Sequence, residues 1–103
     1  MAMTPEKKVK NAVVKQLKLL GDSVYYFFPA TGGYGRSGVP DIIGCYQGMF
    51  WAIECKAGKG TTTALQQREL RAIGKAKGCA WVVNEDNVEQ VCAMLLSQRA
   101  VGM

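Results

Sequence analysis

The 103-residue chain contains no histidine. It therefore has no imidazole to act as a base near neutral pH, and hydrolytic triads built on that group are excluded. Hydrolysis by this chain would have to use carboxylates, lysine and a metal ion. The four cysteines, Cys45, Cys55, Cys79 and Cys92, include no C-x-x-C pair. Structural zinc ordinarily needs cysteines and histidines at close, repeated intervals. Each cysteine sits among apolar neighbours, so they read as small buried hydrophobes of a reducing compartment. No apolar stretch approaches the roughly 20 residues that span a bilayer, and no secretory signal precedes the charged opening. A soluble, intracellular protein is expected. The segment from Ala30 to Gly38 is rich in glycine but has neither the G-x-x-x-x-G-K-[ST] order of a P-loop nor the G-x-G-x-x-G order of a dinucleotide site. No small organic cofactor is indicated.

What the chain does have is positive charge: 13 lysines and arginines against 8 aspartates and glutamates, a net +5. That balance suits a polyanionic partner without proving one. Nothing divides the sequence into two cores, so residues 1–103 read as one domain. A domain this small buries only about two thirds of its unfolded surface, which makes dimerisation a reasonable way to extend the core.

Thr4-Pro5-Glu6 opens a first helix, with Thr4 as cap and Pro5 where a missing amide costs nothing. Val9, Val13, Leu17 and Leu20 recur at helical spacing. Glu6 shares that stripe and should look inward, although a first-turn glutamate is equally at home beside the helix dipole. Val24 to Phe28 favours a strand, followed by the glycine-rich loop. Strands are expected from about Asp41 to Tyr46 and Met49 to Cys55, joined by a Gln47-Gly48 turn. Thr63 and Gln66 have capping-box spacing before a second helix of about Ala64 to Lys77. On it, Gln66, Leu70, Ile73 and Lys77 should share one side. Cys79 to Val83 reads as an interior strand covered on both faces. Asp86 and Glu89 repeat the capping-box spacing ahead of a third helix carrying Val88, Val91, Cys92, Leu95 and Leu96. The order α-β-β-β-α-β-α implies an α/β fold, a mixed central sheet flanked by helices.

The chemistry concentrates in Pro40-Asp41 and Glu54-Cys55-Lys56. Alternation along a strand sends Glu54 and Lys56 to one face and Cys55 to the other. Asp41 begins the neighbouring strand, so two carboxylates and an ammonium reach one patch. Taken alone, the set is also compatible with a surface salt bridge at a sheet edge. Cleaving a phosphodiester needs an attacking water, neutralised phosphoryl oxygens and a stabilised leaving oxygen. Mg2+ or Mn2+ favours hard oxygen ligands, which Asp41, Glu54 and the main-chain carbonyl of Cys55 can supply. Lys56 can position the water and offset phosphate charge. Glu6 can hold a second ion or a metal-bound water, and Gln66 can hydrogen-bond the water or a phosphate. Lys10, Lys59, Arg68, Arg71 and Lys75 are candidate phosphate contacts, with Tyr34 and Arg36 from the glycine-rich loop.

Gly38-Val39-Pro40-Asp41, Glu54-Cys55-Lys56 and the helix opening Thr63-Ala64-Leu65-Gln66-Gln67 together resemble the PD-(D/E)XK nuclease superfamily. More narrowly they resemble its virus-type replication-repair nuclease (VRR-NUC) domain, over nearly the whole chain from Glu6 to about Val91. The resemblance implies a restriction-endonuclease-like core and a divalent-metal-dependent endonuclease. It makes Asp41, Glu54 and Lys56 the catalytic set, joined by Glu6 and Gln66 from the helices. It also implies a stand-alone minimal domain of the phage or prophage type, acting in the cytoplasm of a bacterial host. Small relatives of that type are similar to Holliday-junction resolvases and tend to be homodimers. A four-way-junction endonuclease is therefore the leading expectation. A flap or restriction-type nuclease and a non-catalytic branched-DNA-binding protein are the alternatives. Val24 to Phe28 and the third helix are candidate dimer elements, and equally ordinary core.

Overall fold

The computed structural model describes residues 3–30 and 35–101. Tyr34, one of the proposed DNA contacts, lies outside the described residues. Helix α1 spans Pro5–Lys18, with Thr4 accepting from the Lys7 amide at 3.1 Å. Strand β1 (Val24–Phe27) pairs antiparallel with β2 (Ile42–Tyr46), which pairs antiparallel with β3 (Met49–Cys55). Helix α2 (Ala64–Lys75) then crosses over to β4 (Cys79–Val83), which runs parallel to β3. Helix α3 (Val91–Val101) follows a short 3-10 turn. The sheet order is β1-β2-β3-β4. This is the α/β architecture with a mixed sheet flanked by helices, in the expected α-β-β-β-α-β-α order and matching a restriction-endonuclease-like core.

The two sheet faces are covered unequally. Ile42, Trp51, Ile53, Cys55 and Val83 point to one face and pack with Val9, Val13 and Leu17 of α1 and Val91 and Leu95 of α3. That layer is the apolar core, and its burial is the main source of stability. The other face carries α2, packed on β3 and β4. On this face Tyr25, Phe27 and Phe50 remain exposed, Phe50 bordering a cavity that Ala72 and Ile73 of α2 also line. The β2–β3 turn holds Gln47 at φ 48° and Gly48 at φ 88°, the two positive values a type I′ hairpin requires.

Several local expectations are corrected. Strand β4 is an edge strand, not an interior one: helices on both faces of the sheet account for its apolar run without a strand on its far side. Lys77 does not continue the helix. It adopts φ 73°, and the Gly78 amide turns back to the Ile73 carbonyl at 3.0 Å, so the chain reverses one residue before the glycine. The expected Asp86–Glu89 capping box does not form, because the cap position falls to Asn87, whose side chain is engaged elsewhere. It accepts from the Asn84 amide and donates to the Val82 carbonyl, and the 3-10 turn Val88–Gln90 intervenes. Of the four cysteines, all free, only Cys55 is fully buried; the others are half-buried.

Candidate active site

Asp41 stands immediately before β2, and its Oδ2 accepts the Cys55 amide at 2.8 Å. This bond continues the β2–β3 pairing past its last register pair, Ile42 with Ile53. It fixes the Asp41 carboxylate beside the end of β3. In an extended strand the N–H and C=O of a residue point to the same side, so the Cys55 carbonyl faces Asp41 too. The Lys56 amide points the other way, to the Val83 carbonyl at 2.9 Å.

Glu54 is only 3 % exposed and faces α2. Its Oε2 accepts from Gln66 Nε2 at 3.2 Å and lies 3.7 Å from Lys56 Nζ. Its Oε1 is buried with no hydrogen-bond partner among the described residues. Gln66 does double duty: its Oε1 also accepts the Thr63 amide at 2.9 Å, completing the capping box that starts α2. The helix start and the β3 carboxylate are thereby locked together.

Gly38 explains how α2 comes so close. At φ +83° it turns in the left-handed region, and a Cβ there would lie 2.5 Å from the Leu65 carbonyl oxygen and 2.9 Å from the Gln66 nitrogen. A side chain would push the first turn of α2 off the loop that leads to Pro40 and Asp41. The glycine of the Gly-x-Pro-Asp motif thus sets the distance between Asp41 and Gln66.

Glu6 does reach the site, with Oε1 3.9 Å from Lys56 Nζ. It is half-exposed, not turned into the core as expected, with its carboxylate directed to the Lys56 ammonium. Lys56 therefore sits between Glu54 and Glu6, nearly buried, at ion-pair distances too long to use up its hydrogen-bond donors. A cavity of about 180 Å3 lined by Thr4, Glu6, Lys7, Lys10, Asp41 and Cys55 opens here. A wider one of about 500 Å3 adjoins it past Glu6, Lys56, Gly58 and Glu85.

Burial pushes the Glu54 carboxyl up to about 8, helped by the nearby Asp41 carboxyl; Lys56 opposes the shift without cancelling it. Near neutral pH the metal-free site therefore holds a proton at Glu54. Burial, then Asp41 and Glu54, push the Cys55 thiol to about 12. Cys55 stays a neutral thiol, inert as nucleophile or thiolate ligand.

The donor set fits a hard divalent cation. Two carboxylates converge, and Glu54 presents a buried oxygen that lacks a donor and a charge whose ionisation a cation would favour. Among the described residues no group of three or more His, Cys, Asp or Glu side chains closes into a cluster. Glu6 is placed beside the Lys56 ammonium rather than in a three-carboxylate cluster with Asp41 and Glu54.

The DNA-contact candidates divide. Lys59, Arg71 and Lys75 are exposed. Arg36 is paired with Glu69 at 2.8 Å, and Arg68 lies 3.8 Å from the same carboxylate. Lys10 lies over the Phe28 ring. Sequence reasoning missed Glu69, buried on α2, and Glu85, which accepts the Gly58 amide with both oxygens at 3.0 Å and so anchors the loop after Lys56. It also missed Lys7 as a wall of the smaller cavity. For Lys7 a signal existed, since it directly follows Glu6. For the other two no spacing marks the contact.

The family described as archaeal Holliday junction resolvase (Hjc) matches residues 8–90. A solved structure of a VRR_NUC domain protein superposes with a TM-score of 0.71 at 21 % identity, covering 94 % of this chain and 92 % of that one. That likeness is one of fold. No curated protein matches the chain.

Proposed function

From the premise that this chain belongs to the archaeal Holliday junction resolvase (Hjc) family, we propose that it is a divalent-metal-dependent endonuclease acting on branched DNA, four-way junctions first. The observation that carries the reading is the meeting of Asp41, Glu54, Lys56 and Gln66 at one end of β2 and β3, with Glu54 Oε1 left without a partner. The narrower VRR-NUC assignment rests on the sequence motifs and is supported by the shared fold.

Asp41, Glu54 and the Cys55 carbonyl would hold Mg2+ or Mn2+. When bound, the ion supplies Lewis-acid activation of a water and neutralises charge on the phosphoryl oxygens. The remaining work belongs to the protein. Glu54 in its ionised form would be the ligand, while Gln66 holds its second oxygen and fixes the carboxylate plane. The Asp41 carboxylate is oriented by the Cys55 amide. Lys56, steadied between Glu54 and Glu6, keeps N–H groups for the attacking water and a phosphate oxygen. Glu6 acts through Lys56. Lys59, Arg71 and Lys75 would follow the DNA backbone, giving affinity without sequence preference. Arg36 and Arg68 would add less, since Glu69 already offsets their charge.

A symmetric homodimer of a single minimal domain fits the exposed sheet face. Cross-strand pairing places Tyr25 beside Cys45 and Cys45 beside Phe50, with Phe27 beside Ile43. Tyr25, Phe27 and Phe50 are 69, 46 and 46 % exposed. A contiguous apolar strip of this kind marks an interaction surface, and a second copy would supply the paired active site that a junction needs.

Labelled four-way, flap, splayed and linear duplex DNA, each with and without Mg2+ or Mn2+, tests the reading alongside light scattering. Paired nicks in the junction by a dimer, abolished by chelator, are expected. A monomer on DNA that cuts flaps faster than junctions would overturn the junction assignment; metal-independent cleavage would overturn the metal requirement, and absent cleavage the enzyme.

A further inference from the structure

We propose that Lys10 and Phe28 form a cation–aromatic clamp that presents an ammonium group to a DNA phosphate at the mouth of the catalytic cavity, with Phe28 as the positioning residue. The inference rests on the reading of that cavity as a nuclease site. Lys10 lies one helical turn after Glu6 and lines the cavity with Glu6, Lys7 and Asp41. Glu6 and Lys10 have the i, i+4 spacing at which surface ion pairs form. Yet Glu6 is turned to Lys56, and among the described residues no carboxylate pairs with Lys10. Its Nζ sits instead 4.5 Å from the centroid of the Phe28 ring.

The ring is itself held in place. Phe28 meets Tyr26 edge-on, with centroids 6.1 Å apart and planes at 71°. Phe28 is 47 % exposed, so core packing does not account for it. A ring face attracts a cation through its quadrupole without taking up its N–H bonds. The Lys10 ammonium therefore stays beside the site with its three donors unspent. A salt bridge to Asp41 would consume those donors and cancel charge on a carboxylate suited to bind metal. The carboxylates in the cavity repel an incoming phosphate, and a cation held at the rim offsets that repulsion. An oxyanion of the DNA backbone beside the reacting phosphate is the acceptor such a group fits.

Binding of an uncut four-way junction in chelator, measured across salt concentrations, tests the clamp. Phe28→Leu and Lys10→Met should each weaken binding about two- to fivefold, the range of an exposed cation–aromatic contact. Lys10→Met should also lower the salt slope by about 0.9, one phosphate contact. Phe28→Tyr should restore wild-type binding, and the double variant should bind no worse than Lys10→Met, since the two residues act as one unit. With Mg2+, the fall in kcat/KM should be carried by KM. Wild-type affinity in Phe28→Leu, losses that multiply in the double variant, or a Phe28→Tyr as weak as Phe28→Leu would each overturn the clamp. A wild-type protein that binds the junction but cuts no DNA would refute the nuclease reading while leaving the clamp to stand or fall on these binding data; no binding at all would refute both.

Discussion

Replacing Glu54 by glutamine should stabilise the metal-free protein and abolish its nuclease activity. The carboxyl ionises near 4.5 in the unfolded chain and is pushed up to about 8 in the fold. Between those values the folded protein holds a proton that the unfolded chain has released. Stability therefore falls as pH rises from 4.5 through 8, by up to about 1.4 kcal/mol per pH unit. Glutamine is close in shape and does not ionise. Its carbonyl can still accept from Gln66, and its NH2 can donate to Asp41, so the variant lacks the pH-dependent cost. For a domain of this size 1 kcal/mol corresponds to about 4–8 °C in Tm. In chelator, the variant's lead over wild type should widen by roughly 5–10 °C for each pH unit between 5.5 and 7.5, then level off above 8. Thermal unfolding of both proteins over that range is the assay. Added Mg2+ should raise the wild-type Tm more than the variant's, because only the ionised carboxylate gains a partner. Curves of Tm against pH that run parallel for the two proteins would refute the burial argument.

Lys56→Met should lower single-turnover junction cleavage by at least about a hundredfold with the fold intact, because the ammonium lies between Glu54 and Glu6. Near-wild-type rates with saturating Mg2+ would remove Lys56 from the mechanism. Gly38→Ala should cost at least about 1–2 kcal/mol for the left-handed backbone alone, and more because its Cβ meets the first turn of α2. A lowered Tm together with a raised Mg2+ requirement is expected, since Gln66 moves with that turn; an unchanged metal requirement would separate Gly38 from the site.

The order of elements was legible because each depends on residues a few positions apart. Thr4 and Pro5, the Val9-Val13-Leu17 stripe and the Thr63–Gln66 box are local backbone chemistry, and all appear as expected. The grouping of Glu54 with Lys56 follows from strand alternation, and their side chains do meet at 3.7 Å. Asp41 joined them on the same reasoning about the start of a neighbouring strand. The Asp86–Glu89 spacing looked equally local and failed, because Asn84 and Asn87 offered the backbone a better-satisfied turn.

Contacts between distant segments were not legible. Arg36 reaches Glu69 across 33 residues, Glu85 holds Gly58 across 27, and Lys10 leaves the nearby Glu6 for the Phe28 ring just past β1. None of these leaves a periodic trace, since each is decided by how α1, α2 and the sheet pack. The protonation of Glu54 is of the same kind: its residue type is written in the chain, but its burial, the nearness of Asp41 and the missing partner of Oε1 arise only when the helices close over the sheet. By itself the sequence determined which groups could do chemistry and on which strand face they would lie. Tertiary packing decided how far they are desolvated, which of them pair, and which apolar strip is left uncovered, because those quantities depend on distances that no local spacing encodes.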